Sequence, residues 1–315
     1  MDVIKETNLQ NLGVRTQGKV RDIYTLPAQA GQPGKIILVT TDRHSSFDRI
    51  IAHIPHKGAV LNLISAFWFR QTADIVPNQL IEVPDPNVIV AKLAKPFLVE
   101  VVVRGYLTGV TDTSIWTNYQ KGKRDFGDIV LPDGMKKNER LPKAIITPTT
   151  KAGHDENLNL DEIVPRGLAT ETEWAKMQRA ALALFARGQE MAKTKGFILV
   201  DTKYEFGLYD GKVILIDEVH TPDNSRFWLG SSYEEQMAKG EEPKAFDKEF
   251  LRIWFKEHCD PYKDAALPEA PIEMVNELSR RYIEIYEKLT GEKFSIDDSM
   301  PPLERMEKNL ERYKI

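Results

Sequence analysis

The stretch 199–218 constrains this chain most, because it places charged residues at alternate positions of an otherwise apolar hairpin. Asp-Gly at 210–211 lies between two apolar runs, which is a strong signal for a β-hairpin. Asp201, Lys203 and Glu205 alternate along the first strand and therefore share one face. Charges on a largely buried strand cost free energy unless they bind something, so this row predicts a binding site. The alternative is a solvated hairpin that carries ordinary surface charges.

The register of this hairpin decides whether Asp217 joins the charged row. A two-residue turn puts Glu205 and Asp217 on opposite faces of the hairpin. A three-residue loop at 209–211 pairs Leu208 with Lys212 and makes the two acids diagonal neighbours, about 7–8 Å apart, with a lysine between them. Mg²⁺ is usually held by one or two carboxylates together with substrate phosphates. We therefore predict the three-residue loop and a Mg²⁺ site at these two acids.

The length and the net charge of the chain bound its class. At 315 residues it can bury a substantial core, as one large domain or two smaller ones. A net charge of −4 gives no broad attraction to nucleic acid or to an anionic membrane, so neither partner is predicted. We expect an enzyme or a binding protein whose partners are small molecules, and a homo-oligomer is left open.

The cysteine content and the first residues predict a cytoplasmic location. Cys259 is the only cysteine, which excludes an intramolecular disulfide and suits a reducing compartment. Residues 1–6 lack the basic start and the apolar core of a signal peptide. No apolar run in the sequence approaches the length of a membrane span.

The first third of the chain predicts a small β-rich lobe. Apolar and β-branched runs predict strands at residues 18–24, 35–41, 88–92 and 97–103. A helix is predicted at about 59–74, and its apolar side would carry Leu61, Ile64, Phe67 and Trp68. This lobe, residues 1–104, is expected to end near Arg104.

The remainder, 105–315, predicts a larger mixed α/β lobe with the metal and substrate sites. Helices are predicted at residues 171–195, 247–255 (capped by Asp247) and 272–289. Thr170 and Glu173 match a capping box, and Gly196 stands where a helix terminator belongs. The polar residues 121–159 predict long loops. The predicted fold class is α+β, with two lobes and a ligand cleft between them.

Two segments near the N-terminus carry candidate ligand contacts. Lys19 and Arg21 alternate on a predicted strand, where two cations on one face can clamp phosphate oxygens; the alternative is an exposed charged strand. Residues 40–48 combine hydroxyls, acids and a histidine, which predicts either ligand contacts or a turn rich in side-chain-to-backbone hydrogen bonds. The sequence contains no Walker A motif and no Gly-x-Gly-x-x-Gly, so a nucleotide site here is of another kind.

Three later segments add further candidates. Arg104 ends a buried strand, and a buried arginine needs an anionic partner, which is either structural or a ligand. Residues 147–157 are polar without an apolar period, which predicts a lid over a site or plain surface. Arg226 beside Ser225 predicts a phosphate clamp, and the alternative is a weak surface pair with Asp223.

Taken together, these segments resemble the SAICAR synthetase family. The matching pieces are residues 18–24 (Gly-Lys-Val-Arg-Asp-Ile-Tyr), 41–48, 103–109 (Val-Arg-Gly-Tyr-Leu-Thr-Gly), 147–151, 154–155, 200–207, 217–218, 221–228 and 247–252. They follow the family order and span about residues 18–290. One such piece is a weak signal, whereas the ordered set is highly specific.

The resemblance implies an ATP-dependent ligase of purine biosynthesis. The family joins the carboxylate of 5-amino-1-(5-phospho-D-ribosyl)imidazole-4-carboxylate to the amine of L-aspartate through an acyl phosphate. Phosphoryl transfer requires mainly alignment and charge neutralisation, which suits cations and metal-binding acids. The implied partners are ATP, this ribonucleotide and L-aspartate, and the implied cofactor is Mg²⁺. The alternative is a small-molecule kinase on a similar ATP fold, which would stop at a phosphorylated product and ignore aspartate.

The resemblance also implies roles for individual residues. By resemblance, ATP would be bound by Lys19, Arg21, Lys92, Glu100 and Lys203, and Mg²⁺ by Glu205 and Asp217. The substrates would be bound by Arg104, Asp201, Asp223, Ser225, Arg226, Asp42 and Ser46. Lys203 and Asp201 would be the catalytic residues. The loops 42–48 and 151–155 are the candidates for the aspartate end of the site.

One position departs from the family pattern. Val110 stands where the family usually has a serine whose hydroxyl helps to bind the substrate phosphate. Backbone N–H groups near Gly109, or the hydroxyls of Thr111 or Ser114, would have to take over that contact.

Overall fold

A computed structural model describes residues 2–28, 33–151, 156–245, 249–297 and 299–315. The chain forms two compact units. The first contains Met1–Arg70, Gln79–Leu93 and Asp247–Ile315, and the second contains Gln71–Asn78 and Ala94–Phe246. The division that the sequence predicts at Arg104 differs from this one, because Arg104 lies inside a long strand of the second unit and the C-terminal segment belongs to the first.

The elements follow one another in this order: β1 (Val14–Gln17), β2 (Arg21–Leu26), β3 (Lys35–Thr40), β4 (Arg43–Ser46), β5 (Arg49–His53), α1 (Lys57–Gln71), β6 (Leu80–Asp85), β7 (Val88–Lys92), β8 (Lys95–Tyr106), α2 (Ile115–Gln120), β9 (Arg140–Ile146), β10 (Thr149–Thr150), α3 (Glu171–Thr194), β11 (Phe197–Tyr209), β12 (Lys212–Ile216), β13 (Ser225–Leu229), α4 (Gly230–Lys239), α5 (Glu249–His258), α6 (Ile272–Thr290) and α7 (Pro302–Asn309). Short 3₁₀ turns occur at Leu160–Glu162 and Glu311–Tyr313. Antiparallel sheets combined with helices confirm the predicted α+β class.

The first unit is built on a five-stranded antiparallel sheet in the order β1–β2–β3–β7–β6. Alternation along β2 buries Asp22, Tyr24 and Leu26 on one face. The apolar members of that face pack with residues of the N-terminal segment and α7, including Met306. Ala66 of α1 packs against the other face. Both faces are therefore covered, which explains the continuous apolar run of β3.

The second unit is built on a six-stranded antiparallel sheet with β11 at its centre. On one side β11 pairs with β8; on the other it pairs first with β13 and then with β12. β9 and β10 extend the sheet beyond β8. α3 packs against β11 and β8 and buries Trp174, Met177 and Phe185. Residues of β11 therefore lie beside residues of β8, β12 and β13.

The local signals of α3 are confirmed. The Thr170 hydroxyl accepts a hydrogen bond from the Glu173 backbone N–H at 3.3 Å, and the Glu173 carboxylate accepts one from the Thr170 N–H at 2.8 Å. Gly196 follows the helix with φ of 81°. The prediction of long loops over 121–159 is partly wrong, because β9 and β10 form there by pairing with β8, a long-range contact that local composition does not report.

Two further expectations concern the helices. The cap predicted at Asp247 lies outside the described residues. Within the described part of the chain, no helix is long and apolar enough to cross a membrane.

A buried ion pair ties α7 to the sheet of the first unit. Arg305 donates to both oxygens of Asp85, at 2.8 and 3.2 Å, and the two side chains are 7% and 0% exposed. Asn309 also donates to Asp85 at 2.9 Å, and Asn87 accepts from Arg305 at 2.8 Å. Both charged groups are hydrogen bonded in this buried setting, so removing one partner leaves the other buried and unpaired.

We expect Arg305→Ala to lower the free energy of unfolding of the first unit by about 3–5 kcal/mol, because Asp85 is left as an uncompensated buried charge. The matched control is Arg312→Ala, which removes an exposed pair with Glu82 and should cost less than about 1 kcal/mol. Urea denaturation of both variants gives the comparison. Equal losses of unfolding free energy in the two variants would show that burial does not make the Arg305–Asp85 pair more important for stability than an exposed pair.

A buried histidine underlies the sheet of the second unit. The ring of His220 is hydrogen bonded to the Tyr204 hydroxyl, and both residues are 0% exposed. A Cβ on Gly188 of α3 would lie 2.4 Å from the His220 ring, so glycine is needed for the helix to come this close. Burial lowers the pKa of His220 to about 3. The ring is therefore neutral in the folded protein at neutral pH.

This pKa predicts a loss of stability in mild acid. The pKa of a histidine is near 6.5 in the unfolded chain and lower in the folded one, so below pH 6.5 the unfolded state binds the extra proton. The contribution of His220 to the stability of the fold is therefore complete above pH 6.5. It is lost progressively as the pH falls toward the pKa of this residue in the folded protein. Between pH 7 and pH 5 this group should remove about 2 kcal/mol.

The measurement is the denaturation midpoint at pH 7 and pH 5 for the parent chain and for His220→Asn. Asparagine cannot titrate, and it tolerates the positive φ of 47° at this position. The variant should lose less stability than the parent between the two pH values. If His220→Asn showed the same pH dependence of stability as the parent chain, the loss of stability in acid would not be due to His220.

Candidate active site

The central strand β11 carries the charged row that the sequence predicts. Asp201, Lys203 and Glu205 lie at alternate positions and so share a face. In the register with β8, Asp201 lies opposite Arg104 and Glu205 lies opposite Glu100. The sheet therefore places an arginine beside the first acid and a second glutamate beside the last.

The predicted hairpin register is wrong. Tyr209 pairs with Lys212, so the loop has two residues, Asp210 and Gly211, with φ of 49° and 66°. Two left-handed residues form the turn type whose twist matches that of the flanking strands, and aspartate tolerates this conformation. In this register Glu205 lies opposite Ile216.

Asp217 nevertheless reaches the charged row, by a route that the sequence did not indicate. It is the first residue after β12, and its φ is +66°. This left-handed residue ends the strand alternation that would have kept the two acids on opposite faces. The charge of Asp217 acts on both Lys203 and Glu205, raising the pKa of each. The structure thus brings the predicted pair of acids together despite the different register.

Lys203 is the cation between these acids. Its amine donates to Glu100 at 2.6 Å and lies 3.8 Å from Glu205. Glu100 is buried and also accepts from the Thr149 hydroxyl at 3.1 Å. Burial acts to lower the pKa of Lys203, but Glu100, Glu205 and Asp217 outweigh it, and the pKa is raised. The lysine is therefore a permanent cation held by carboxylates.

Glu205 is a buried carboxylate with two cationic neighbours. Lys151 donates to its second oxygen, and Lys203 lies near the first. Burial, followed by the charge of Asp217, raises the pKa of Glu205 to about 7, against the opposing effect of the two lysines. Lys151 is the one residue of the predicted 151–155 loop that the structure describes; the others lie outside the described residues.

Two arginines share one acid at the other end of the row. Arg226 of β13 donates to Asp201 at 2.9 Å, and Arg104 of β8 lies 3.6 Å from the same oxygen. Arg104 also donates to the Thr147 hydroxyl at 2.7 Å. Burial lowers the pKa of Arg104, and Asp201 opposes this effect. Two cations against one acid leave a surplus positive charge, which favours an anion.

The turn after β12 is fastened by Asn224, which sequence reasoning missed. Its amide donates to the backbone carbonyl of Lys203 at 3.2 Å and to that of Glu218 at 2.9 Å. Ser225 is buried, and its hydroxyl is bonded to Thr202 at 2.7 Å. Asp223 is half-buried in the same turn. The signal for Asn224 was its place inside the 221–228 motif, between two residues that were chosen.

Thr147 and Lys151 were named only as parts of a loop. Their contacts with Arg104 and Glu205 assign them to the two ends of the row. Polar residues without periodicity gave no basis for selecting them individually.

The remaining candidates lie in the first unit. Lys19 precedes β2 instead of alternating with Arg21 along it, and its amine pairs with Asp48 at 2.7 Å on the surface. The prediction of two cations on one strand face is therefore wrong at Lys19. Arg21 begins β2, and Lys92 ends β7; both are half-buried.

Asp42 and Ser46 have different surroundings. Asp42 is 2% exposed, and its oxygens accept the backbone N–H groups of Ile4 and Gly58, both at 2.9 Å. Burial raises its pKa against these bonds. Its contacts are those of a structural carboxylate. The Ser46 hydroxyl is buried and has no hydrogen-bond partner in the described residues.

The Ser114 hydroxyl, one candidate for the contact that Val110 cannot make, already takes part in hydrogen bonds within the protein. Ser114 is the N-cap of α2, where its oxygen accepts the Thr117 N–H at 3.2 Å. Val110 itself is 62% exposed. Thr111 is exposed, and it stays a candidate for that contact together with Ser114 and the backbone near Gly109.

The acids Glu205 and Asp217 suit a divalent cation. Their mutual repulsion in a buried setting is relieved when a cation binds both. Among the described residues, no group of three or more His, Cys, Asp or Glu side chains is arranged to hold a metal. Two carboxylates are sufficient for Mg²⁺ when substrate phosphates supply further ligands.

Comparison with known proteins assigns the chain. The family model described as SAICAR synthetase matches residues 14–268. A phosphoribosylaminoimidazole-succinocarboxamide synthase of Legionella pneumophila (strain Paris) is 51% identical over 313 residues, which cover 98% of each chain. A solved SAICAR synthase from Saccharomyces cerevisiae, complexed with SAICAR, is 34% identical with a TM-score of 0.79, covering 93% of this chain and 99% of that one.

A solved SAICAR synthetase in complex with ADP shares the fold at 24% identity, with a TM-score of 0.66 over 90% of this chain and all of that one. The family model covers most of the sequence, and the curated relative matches it almost from end to end. The chain belongs to the SAICAR synthetase family.

Proposed function

We propose that the chain is an ATP-dependent carbon–nitrogen ligase, a phosphoribosylaminoimidazole-succinocarboxamide synthase of purine biosynthesis. It joins the imidazole carboxylate of the ribonucleotide to L-aspartate and releases ADP and phosphate. The observation that carries the proposal is the charge gradient along β11. Two arginines and one acid lie at the Asp201 end, whereas three carboxylates and two lysines lie at the Glu205 end.

This gradient fits the two charged ends of the reaction. The cationic end suits the ribonucleotide phosphate, which Arg104 and Arg226 would bind, with Asp223 and Ser225 beside them. The acidic end suits a metal cation. Positions 201 and 205 are about 13 Å apart along an extended strand, which leaves room for a sugar and a ring between the two ends.

The acidic end would hold Mg²⁺ through Glu205 and Asp217. When bound, the metal would supply charge neutralisation for the ATP phosphates. Lys203, fixed by Glu100, would bind a phosphate oxygen and stabilise the charge that develops on it during transfer. Asp201 would hold the arginines and the imidazole substrate in place. Lys19, Arg21 and Lys92 are proposed as further ATP ligands and Ser46 as a ligand at the aspartate end, on the family pattern alone.

The proposed reaction has two steps. The substrate carboxylate attacks the γ-phosphorus of ATP, and ADP leaves. The aspartate amine then attacks the acyl carbon, and phosphate leaves with the electron pair of the C–O bond as the amine loses a proton. Fixed cations and dipoles accelerate such steps, since they need no reorganisation when charge develops. We place this activity in the cytoplasm, in keeping with the single cysteine.

The test is ADP release from ATP, Mg²⁺ and the carboxyaminoimidazole ribonucleotide, with and without L-aspartate, followed by mass identification of the imidazole product. Succinate is the matched control substrate, because it carries both carboxylates but no amine. We expect aspartate-dependent ADP release and a product heavier by the aspartyl group. ADP release that ignores aspartate would overturn the ligase in favour of a kinase, which the comparisons do not favour.

The metal assignment has its own test. Asp217→Asn should keep the fold, because asparagine tolerates the left-handed backbone at this position. It should lower ATP turnover by at least about 100-fold, because a full charge facing the cation is lost. The matched control is Asp210→Asn, the same change at the left-handed residue of the hairpin turn, which should leave turnover unchanged. Normal turnover in Asp217→Asn at an unchanged melting temperature would remove Asp217 from the site.

A further inference from the structure

A cavity in the second unit lies outside the charged row on β11. It has a volume of about 480 Å³, which is within the range of small-molecule sites. Three cations line it: Lys176 and Arg179 of α3, and Lys212 at the start of β12. Among the residues that the structure describes, no acid lines this cavity, although the chain as a whole carries a net charge of −4. The cavity is therefore a local positive site on an acidic protein.

These three cations have no ion-pair partner within 4 Å among the described residues. The charge of Lys176 helps to lower the pKa of Glu173, but that carboxylate is already bonded to the N–H and the hydroxyl of Thr170, which lower its pKa more. Solvated cations gathered at one cavity repel one another, and an anion relieves that repulsion. The electrostatics thus favour an anionic ligand.

The rest of the cavity lining is apolar. Ile75, Val76 and Val213 line it together with alanines of α3. Inorganic phosphate alone would leave this apolar surface in water, whereas a ligand that also carries a ring would cover it. The mixture of cations and apolar wall selects an amphipathic anion.

The cavity is also held in shape by hydrogen bonds. The Pro77 carbonyl accepts the Leu215 N–H at 2.9 Å, which fastens the 71–78 segment to β12. Arg187 of α3 donates to the Gln71 carbonyl and to Asp74, both at 2.9 Å. The segment that supplies Ile75 and Val76 is thus fixed at both ends. A preformed cavity avoids the ordering cost that a mobile surface would incur on binding.

We propose that this cavity binds a phosphorylated small molecule that carries an apolar or aromatic ring. The three cations hold the phosphate, and the ring lies on the apolar wall. The volume suits one small molecule, which favours such a ligand over an acidic segment of a protein. The inference does not depend on the proposed reaction.

The experiment is acylation of lysines under single-hit conditions, quantified for each residue by mass spectrometry, with AMP, inorganic phosphate or adenosine as the probe. AMP should protect Lys176 and Lys212, with half-protection at a concentration at least about tenfold lower than for phosphate or adenosine. Lys193, in the last turn of α3, and Lys195, which directly follows the helix, should not be protected. Protection of Lys203 reports the proposed active site separately, so failure of one site is distinguishable from failure of the other.

Variants then test the cations. Lys176→Gln with Arg179→Gln should raise the AMP concentration for half-protection of Lys212 at least about tenfold. The matched control, Lys193→Gln with Lys195→Gln, should not change it. These are exposed positions, and melting temperatures verify the fold.

Three results would overturn the proposal. The first is the absence of protection at Lys176 and Lys212 at millimolar AMP. The second is equal protection by phosphate and AMP, which means a simple anion site without a ring. The third is protection by an acidic peptide but not by AMP, which means a protein-docking surface.

Discussion

The antiparallel pairing of β8 with β11 is the interaction on which the rest of the site depends. It sets Arg104 against Asp201 and Glu100 against Glu205 in adjacent strands of one sheet. Charges in such a setting are tolerated only when each has a partner. The neighbouring strands and loops supply those partners, so the charged groups form two linked clusters instead of isolated surface pairs. A one-residue slip of this register would turn every side chain of the shifted strand to the other face and separate both clusters.

The central row could be predicted from the sequence because it depends on a local rule. Alternation along a strand places Asp201, Lys203 and Glu205 on one face whatever the rest of the chain does. The capping box of α3 was predictable for the same reason, since its signal lies within four residues. The strands at 140–150 were not predictable, because they exist through pairing with β8, far away in sequence.

Asp217 shows how a correct grouping can follow from a wrong geometry. The predicted register assumed that the strand continues to Asp217, so that only a shift of one residue could bring it beside Glu205. The chain instead keeps the favoured two-residue turn and changes direction at Asp217 itself, through a left-handed backbone. Aspartate is among the few residues that adopt this conformation readily. The residue type at position 217, an aspartate, was therefore informative, although the predicted register was wrong.

The paired strands hold most of the charged residues of the site rigidly, and two residues outside β8 and β11 add further contacts to them. Arg104, Asp201 and Glu205 lie on paired strands, where neighbouring strands fix them, and such fixed charges need little reorganisation when a substrate binds. Thr147 lies between β9 and β10, and Lys151 directly follows β10; each contacts one end of the row. The sheet therefore determines where charge is presented; the Thr147 hydroxyl adds a hydrogen bond at one end, and the Lys151 amine adds a cation at the other. This arrangement lets one strand present a net positive end and a net negative end about 13 Å apart, which a single Gly-rich phosphate loop could not do.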